Sequence, residues 1–324
     1  MFRNTGKSTT FFILCLLILV TTACSSPSAP SEKKSATAGQ TEETGTHIVT
    51  DAYGKQVEIP KSPKRIVYTD NTVGDLLLFG IKPVGLVQGG LQYSVYKDEV
   101  KDIADISWPP NMEKLIELKP DLIITSTTDE KYNATLSKIA PVILTNEWDP
   151  MPVRIKRIGD WFGYEKQAED FLTRHNADIV NMWKAMQLDG TIKKGETASV
   201  YQYMVGQKRL SVYTTSYLTT FVYHKEGFQP TPAIQKMIEN PDDYGYANIS
   251  AELLPKISGD RIFIVYFDDA ELAEVKNMIK GPIWSSLPAI KADKVYFIHG
   301  GLGITTDPLA REELIKELPV ILKK

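Results

Sequence analysis

The chain has 324 residues, 43% of them hydrophobic and 10% aromatic, and its 37 basic side chains against 40 acidic ones leave a formal net charge of −3. With no basic stripe, that balance excludes nucleic acid as the expected partner, and a chain of this length can bury a large core without staples. Two cysteines, Cys15 and Cys24, exclude a disulfide-stapled scaffold.

The first predicted element is a leader. Arg3 and Lys7 precede an unbroken apolar run, Phe11 to Val20, and small residues stand just before Cys24, which is the layout of a secretory signal. Ten apolar residues are too few to span a bilayer, which takes roughly 20. Thr21-Thr22-Ala23-Cys24 resembles a lipobox, in which the thiol is diacylated and cleavage leaves the cysteine as the new N-terminus. Thr21 stands where leucine is usual, while Val20, Ala23 and Ser25 fit. The alternatives are an uncleaved anchor or an ordinary signal peptide with a chance cysteine. Residues 1–23 thus read as a lipoprotein signal peptide and Cys24 as the lipidated residue. Cleavage removes two positive charges, taking the formal charge to −5, and also removes Cys15, so no disulfide can form. Residues 24–46 are mostly Ser, Thr, Pro, Ala, Glu and Lys and read as a flexible tether.

Globular sequence begins near His47, with Ile48 to Asp51 and Gln56 to Ile59 flanking a turn as a β-hairpin. Four apolar runs follow, Arg65 to Tyr68, Val84 to Val87, Leu122 to Thr125 and Val142 to Thr145, each suited to a strand buried on both faces. Helix-like stretches at Val73 to Phe79, Met112 to Leu118 and Ala134 to Ile139 alternate with them, which predicts a parallel sheet in an N-terminal α/β lobe over 47–163. Apolar residues from Ala168 to Met186 then recur at spacings of three and four, predicting a helix of about six turns over 164–188 that joins two lobes as a rigid strut; a helix packed wholly inside one lobe is the alternative. The strand and helix pattern restarts in a C-terminal lobe over 189–324, ending in a helix from Pro308 to Leu322. The fold class is therefore α/β: two Rossmann-like lobes joined by a long rigid helix, with the ligand cleft between them, lined by the loops that follow the strands.

The chemistry-bearing residues exclude more than they assign. His47, His175, His224 and His299 show no metal-ligand spacing, so direct capture of a bare ion is not expected. There is no Gly-x-Ser-x-Gly elbow and no phosphate-binding loop, and Gly300-Gly301-Leu302-Gly303 lacks dinucleotide spacing. Asp242-Asp243 and Asp268-Asp269 read as solvated turns rather than acid/base dyads, and no enzyme is expected. The loops do carry aromatics: Tyr93, Tyr96, Trp108, Trp148, Tyr201, Tyr203, Tyr213, Tyr217, Tyr223, Tyr266, Phe267 and Trp284. Those that are not core residues suit a bulky, partly apolar ligand.

Pro63 to Val67, Leu118 to Ile124, Ile139-Ala140-Pro141 and Ile283 to Leu287 resemble the iron-siderophore-binding lipoproteins of ABC importers, over essentially the whole chain from His47. The resemblance implies capture of a ferric siderophore outside the cell by a monomer that is lipid-anchored at the cell membrane, with delivery to an ABC permease and its ATPase; the tether and lipidation favour a Gram-positive surface over a Gram-negative one. It implies no cofactor, the iron being bound only as a siderophore chelate. In this family one glutamate on top of each lobe meets arginines of the permease, and Glu113 and Glu252 occupy those motifs here; the alternative is that each merely complements a helix start. For the ligand, Trp108 and Trp148 are expected from the first lobe, and Tyr203, Tyr217, Tyr266 and His299 from the second. Lys131, Lys208 and Arg209 are the loop cations, with Arg209 placed in the ligand set. Relatives that take hydroxamates often carry an aromatic-Gly-Arg-Gly segment where this chain has Thr214 to Leu218, so the arginine is missing there. His299 reads equally as a satisfied histidine at a strand end. A hydroxamate chelate is favoured, because a triply negative catecholate would draw several cations into the cleft. Haem, cobalamin or catecholate carriage, and a sensor or enzyme on the same scaffold, are the rivals.

Overall fold

The computed structural model describes residues 45–240 and 245–323. The expected leader, Cys24, the tether as far as residue 44 and Asp242-Asp243 lie outside them. No described helix is long and apolar enough to cross a membrane.

Strands β1 (Thr46–Thr50) and β2 (Gln56–Pro60) form the predicted hairpin, antiparallel with Val49 opposite Val57. The first lobe is then built on five strands: β3 (Ile66–Tyr68), β4 (Gly85–Leu86), β5 (Ala104–Asp105), β6 (Leu122–Thr125) and β7 (Val142–Leu144). They lie in the order β5-β4-β3-β6-β7 and every pairing is parallel. The chain winds outward from β3 in one direction and then from β6 in the other, so the gap beyond the carboxyl ends of β3 and β6 is the switch point where such sheets bind ligands. β3 and β6 are buried on both faces, because helices cover each side of a parallel sheet.

The second lobe departs from the all-parallel pattern. Its strands are β8 (Thr197–Met204), β9 (Arg209–Tyr213), β10 (Gln229–Pro230), β11 (Tyr246–Ile249), β12 (Arg261–Tyr266) and β13 (Val295–His299). They are ordered β11-β9-β8-β12-β13, with β10 also pairing β8. The short link Val205 to Lys208 allows only a hairpin, so β9 runs antiparallel to β8, whereas helical crossovers keep β8, β12 and β13 parallel.

Between the sheets a single helix, Glu165–Leu188, runs for 24 residues, about 36 Å at 1.5 Å per residue. Its first half packs Ala168 and Phe171 into the core of the first lobe and its second half packs Met182, Trp183 and Met186 into that of the second. Trp183 is fully buried, edge-on to Phe228 at 5.5 Å. One helix thus holds two cores at a fixed separation, and burial of each large aromatic contributes about 3 kcal/mol.

A second connection runs through a buried guanidinium. Arg154, on the helix Met151–Phe162, is 1% exposed. Its Nε donates to Asp75 Oδ2 at 2.7 Å and its Nη2 to Asp75 Oδ1 at 3.2 Å, a bidentate pair. The rest of the guanidinium donates to the carbonyls of Asp149 (2.7 Å) and Thr306 (3.1 Å). Thr306 precedes the terminal helix Pro308–Leu322, whose N-cap Asp307 lies so close to Gly74 that a Cβ there would sit 2.5 Å from the carboxyl. Burial opposes the charge on Arg154, but Asp75 outweighs it and raises the guanidinium pKa. Removing one partner of such a pair strands the other charge, so Arg154→Met is expected to lower unfolding free energy by about 3–5 kcal/mol in urea titration. An unchanged midpoint would mean that Arg154 does not anchor this junction.

Candidate functional site

A cleft of about 1380 Å³ lies between the lobes, above the roughly 300–1,000 Å³ usual for a small-molecule site. Its wall is made where strands end: Asn71 and Thr72 follow β3, Gly89 and Gly90 follow β4, Glu147 and Trp148 follow β7, Phe267 follows β12, and Gly300 and Gly301 follow β13. Thr215 to Tyr217, after β9, and His175, Asn176 and Ile179 of the strut complete it. The lobes touch beside it. Tyr93 packs on Phe267 with ring centres 5.1 Å apart, and a Cβ on Gly301 would fall 1.8 Å from the Tyr93 carbonyl oxygen, so only glycine fits this approach.

Of the residues expected to meet a ligand, Trp148 and Tyr217 stand on this wall, with Trp148 61% exposed. The others are placed elsewhere. Trp108 is an exposed side chain of the first lobe beside Pro109, off the cleft wall. Tyr203 shares a strand face with Tyr201, two residues back, and packs, half-buried, against the core on the far side of the second sheet. Arg209 sits opposite Met204 at the same hairpin end, its Nη2 2.7 Å from the Met204 sulfur. Tyr266 stands edge-on to His299 at 5.7 Å. His299 is a satisfied strand-end histidine: its Nδ1 accepts from Gly301 N–H at 3.1 Å, leaving Nε2 to donate to the Phe267 carbonyl at 3.0 Å. Glu113 and Glu252 are exposed and off the cleft, Glu113 in the first turn of Met112–Leu118 and Glu252 in the 3-10 turn Ala251–Leu253. Asn111 caps the former helix, accepting from the Glu113 N–H at 3.0 Å, and the Glu252 carboxyl pKa is lowered by its own N–H and the Ser250 hydroxyl.

The cleft wall also carries residues the sequence did not mark. Tyr93, Tyr96 and Phe267 belonged to the wider aromatic set, but Phe221, Lys156, His175, Asp307 and Arg311 did not stand out. Helical spacing could have found the last two, since Asp307 and Arg311 are four residues apart at the start of an otherwise apolar helix face. His175 is buried, stacked on Phe171 at 5.3 Å, with Nδ1 2.6 Å from Glu312 Oε1. Burial lowers its pKa against the pull of Glu312. Among the described residues no group of three or more His, Cys, Asp or Glu side chains is placed to hold a metal ion.

Two buried carboxyls flank the cleft. Asp70, at the end of β3, accepts from Ser126 N–H (2.9 Å) and Ser126 Oγ (2.7 Å), while its Oδ2 has no partner. Burial pushes its pKa up to about 7 despite those bonds. Asp307 is pushed up to about 6, again by burial, with Tyr96 pulling the other way. A carboxyl whose folded pKa exceeds its unfolded value contributes stability in full below the unfolded value and loses it as pH rises through the folded one. The contribution of these two carboxyls to stability should therefore fall as pH rises from about 4 to about 7. Asp70→Asn should flatten that slope in urea titrations across the range; identical slopes in parent and variant would show that Asp70 ionises normally.

Comparison with known proteins agrees with this architecture. The iron(3+)-hydroxamate-binding protein FhuD of Bacillus subtilis is 29% identical over 329 residues, covering 97% of this chain and 96% of that protein. The probable siderophore-binding lipoprotein YfiY of the same organism is 28% identical over 315 residues, covering 90% and 92%. The crystal structure of Staphylococcus aureus SirA complexed with staphyloferrin B superposes with a TM-score of 0.71 at 25% identity, covering 86% of this chain and 99% of that one. Residues 67–301, most of the chain and both sheets, match the periplasmic binding protein family, and the chain belongs to that family of binding proteins rather than to an enzyme family.

Proposed function

We propose that this chain captures a ferric siderophore in the interlobe cleft and delivers it to an ABC permease. The observation that carries the reading is the cleft itself: one large space at the switch points of two sheets, walled by Tyr93, Tyr96, Trp148, Tyr217 and Phe267. Flat aromatic faces suit the apolar periphery of a metal chelate, and the iron is cargo held by the chelator's own oxygens. The names of FhuD and YfiY point the same way.

The charges on the wall favour a hydroxamate chelate. Glu147 and Asp149 stand on the first-lobe side, with Asp149 2.5 Å from Arg157. The described cations of the wall are Lys156, exposed, and Arg311, buried. A triply negative catecholate would meet Glu147 with few cations to offset its charge, whereas a neutral or cationic chelate would not. SirA, solved with staphyloferrin B, marks that ligand as a competitor to exclude.

Cys24 is the proposed lipid anchor, with the segment after it as its tether to an extracytoplasmic membrane surface, ending short of the expected residue 46 because Thr46 already pairs in β1; YfiY is described as a lipoprotein. Glu113 and Glu252, both exposed at the start of helical turns, are the proposed contacts with permease arginines. ATP hydrolysis belongs to the partner.

Titration with ferrioxamine B, ferric citrate, a ferric catecholate and haemin, followed by tryptophan fluorescence, tests the reading. Saturable quenching by the hydroxamate is expected, weakened roughly tenfold by Tyr217→Ala or Trp148→Ala. Paired Glu113→Ala and Glu252→Ala should abolish uptake with binding intact. Binding of none of the four would refute the siderophore assignment.

A further inference from the structure

We propose that Arg311 is a positioning residue for the cleft: from the terminal helix it holds the backbone of Tyr217, fixing that ring on the wall and tying it to the junction between the lobes. The proposal rests on the reading of the cleft as the ligand site.

Tyr217 has φ 53°, the left-handed region that residues with a side chain rarely adopt. Such a conformation persists only where the surroundings over-determine it. Here the Tyr217 carbonyl oxygen accepts from Arg311 Nη2 at 2.7 Å, Thr220 Oγ1 at 2.7 Å and Thr220 N–H at 3.1 Å. The next residue, Leu218, donates its N–H to the Gly303 carbonyl at 3.1 Å. The ring itself stands edge-on to Tyr213, 5.5 Å away at 87°.

Arg311 is 4% exposed and its Nη1 has no hydrogen-bond partner. Its Nη2 also lies 3.0 Å from Thr220 Oγ1, and its guanidinium carbon sits 5.7 Å from the centre of the Phe221 ring. Burial lowers its pKa to about 10, with Asp307 opposing and Arg154 adding to the fall, so it remains a cation at neutral pH. A buried guanidinium is costly, and this one directs its hydrogen bonds to the Tyr217 carbonyl and to Thr220 in the short helix that follows. A charged donor holds a carbonyl more firmly than a neutral one. The same helical turn carries Asp307 against Gly74 and follows Thr306, which Arg154 holds. Six residues, 306–311, therefore link the first lobe to the backbone of a cleft aromatic in the second.

The test has a ligand-free arm and a binding arm, both on the full chain in detergent. Hydrogen exchange at the Thr220 amide reports the Tyr217 carbonyl directly. Arg311→Met should speed it at least tenfold and weaken the chelate that binds in the panel above roughly tenfold. Arg311→Lys should restore most of both. Thr220→Val, at an exposed position, should move both in the same direction by less, and decides the matter alone if Arg311→Met does not fold. With Tyr217→Gly, which adopts a positive φ unaided and has no ring to place, adding Arg311→Met should weaken binding much less than it does in the parent. Unchanged Thr220 exchange in both Arg311→Met and Thr220→Val would overturn the proposal. If no chelate binds the parent, the cleft reading fails, and the exchange arm still decides whether Arg311 holds Tyr217.

Discussion

Arg154 and Asp75 meet where three parts of the chain converge. Asp75 lies on the short helix after β3, Arg154 on the helix before the strut, and Thr306 on the segment that leaves the second sheet. Their bidentate pair is almost completely buried, with side-chain exposures of 0% and 1%. Taking both charges out of water costs several kcal/mol for each ion, so the pair lasts only because the geometry is good and the remaining guanidinium protons find carbonyls. Loss of either partner leaves an uncompensated charge. The position of the terminal helix, and with it one wall of the cleft, depends on that constraint.

The strut and this ionic junction divide the work. The helix Glu165–Leu188 sets the distance between two hydrophobic cores, because Phe171 belongs to one and Trp183 to the other. A helix of that length bends little without a proline or an inserted side chain. The junction sets the angle, since Thr306 and Asp307 cannot shift without disturbing Arg154 and Gly74. A cleft framed in this way is largely preformed, so less of its binding free energy goes into ordering the site than in a hinged protein that closes on its ligand.

The fold was legible because its signals are local and periodic. Short apolar runs marked β3, β6 and β7, and Pro308 marked the start of the terminal helix to the residue. The antiparallel turn of β9 was legible only in hindsight, from the four residues that separate it from β8. The site was less legible because facing depends on strand phase and on tertiary contact. Trp148 and Tyr217 follow strands whose carboxyl ends or return loops reach the cleft, and they line it. Tyr203 sits one residue out of phase for that and turns to the core with Tyr201, while His299 spends both ring nitrogens on its own lobe. The spacing of Asp307 and Arg311 marks one face of the terminal helix, but nothing local announces that Gly74, more than 200 residues earlier, makes room for the Asp307 carboxyl.

Lobe geometry is the claim on which the rest turns, and double electron–electron resonance measures it directly. Spin labels at Lys138→Cys in the first lobe and Lys280→Cys in the second, both exposed positions, report their separation with and without a bound chelate. The account predicts a narrow distribution whose centre moves by no more than about 3 Å on binding, and a broad one in Arg154→Met. A shift on the order of 10 Å on binding, or a broad distribution in the parent chain, would contradict a preformed cleft.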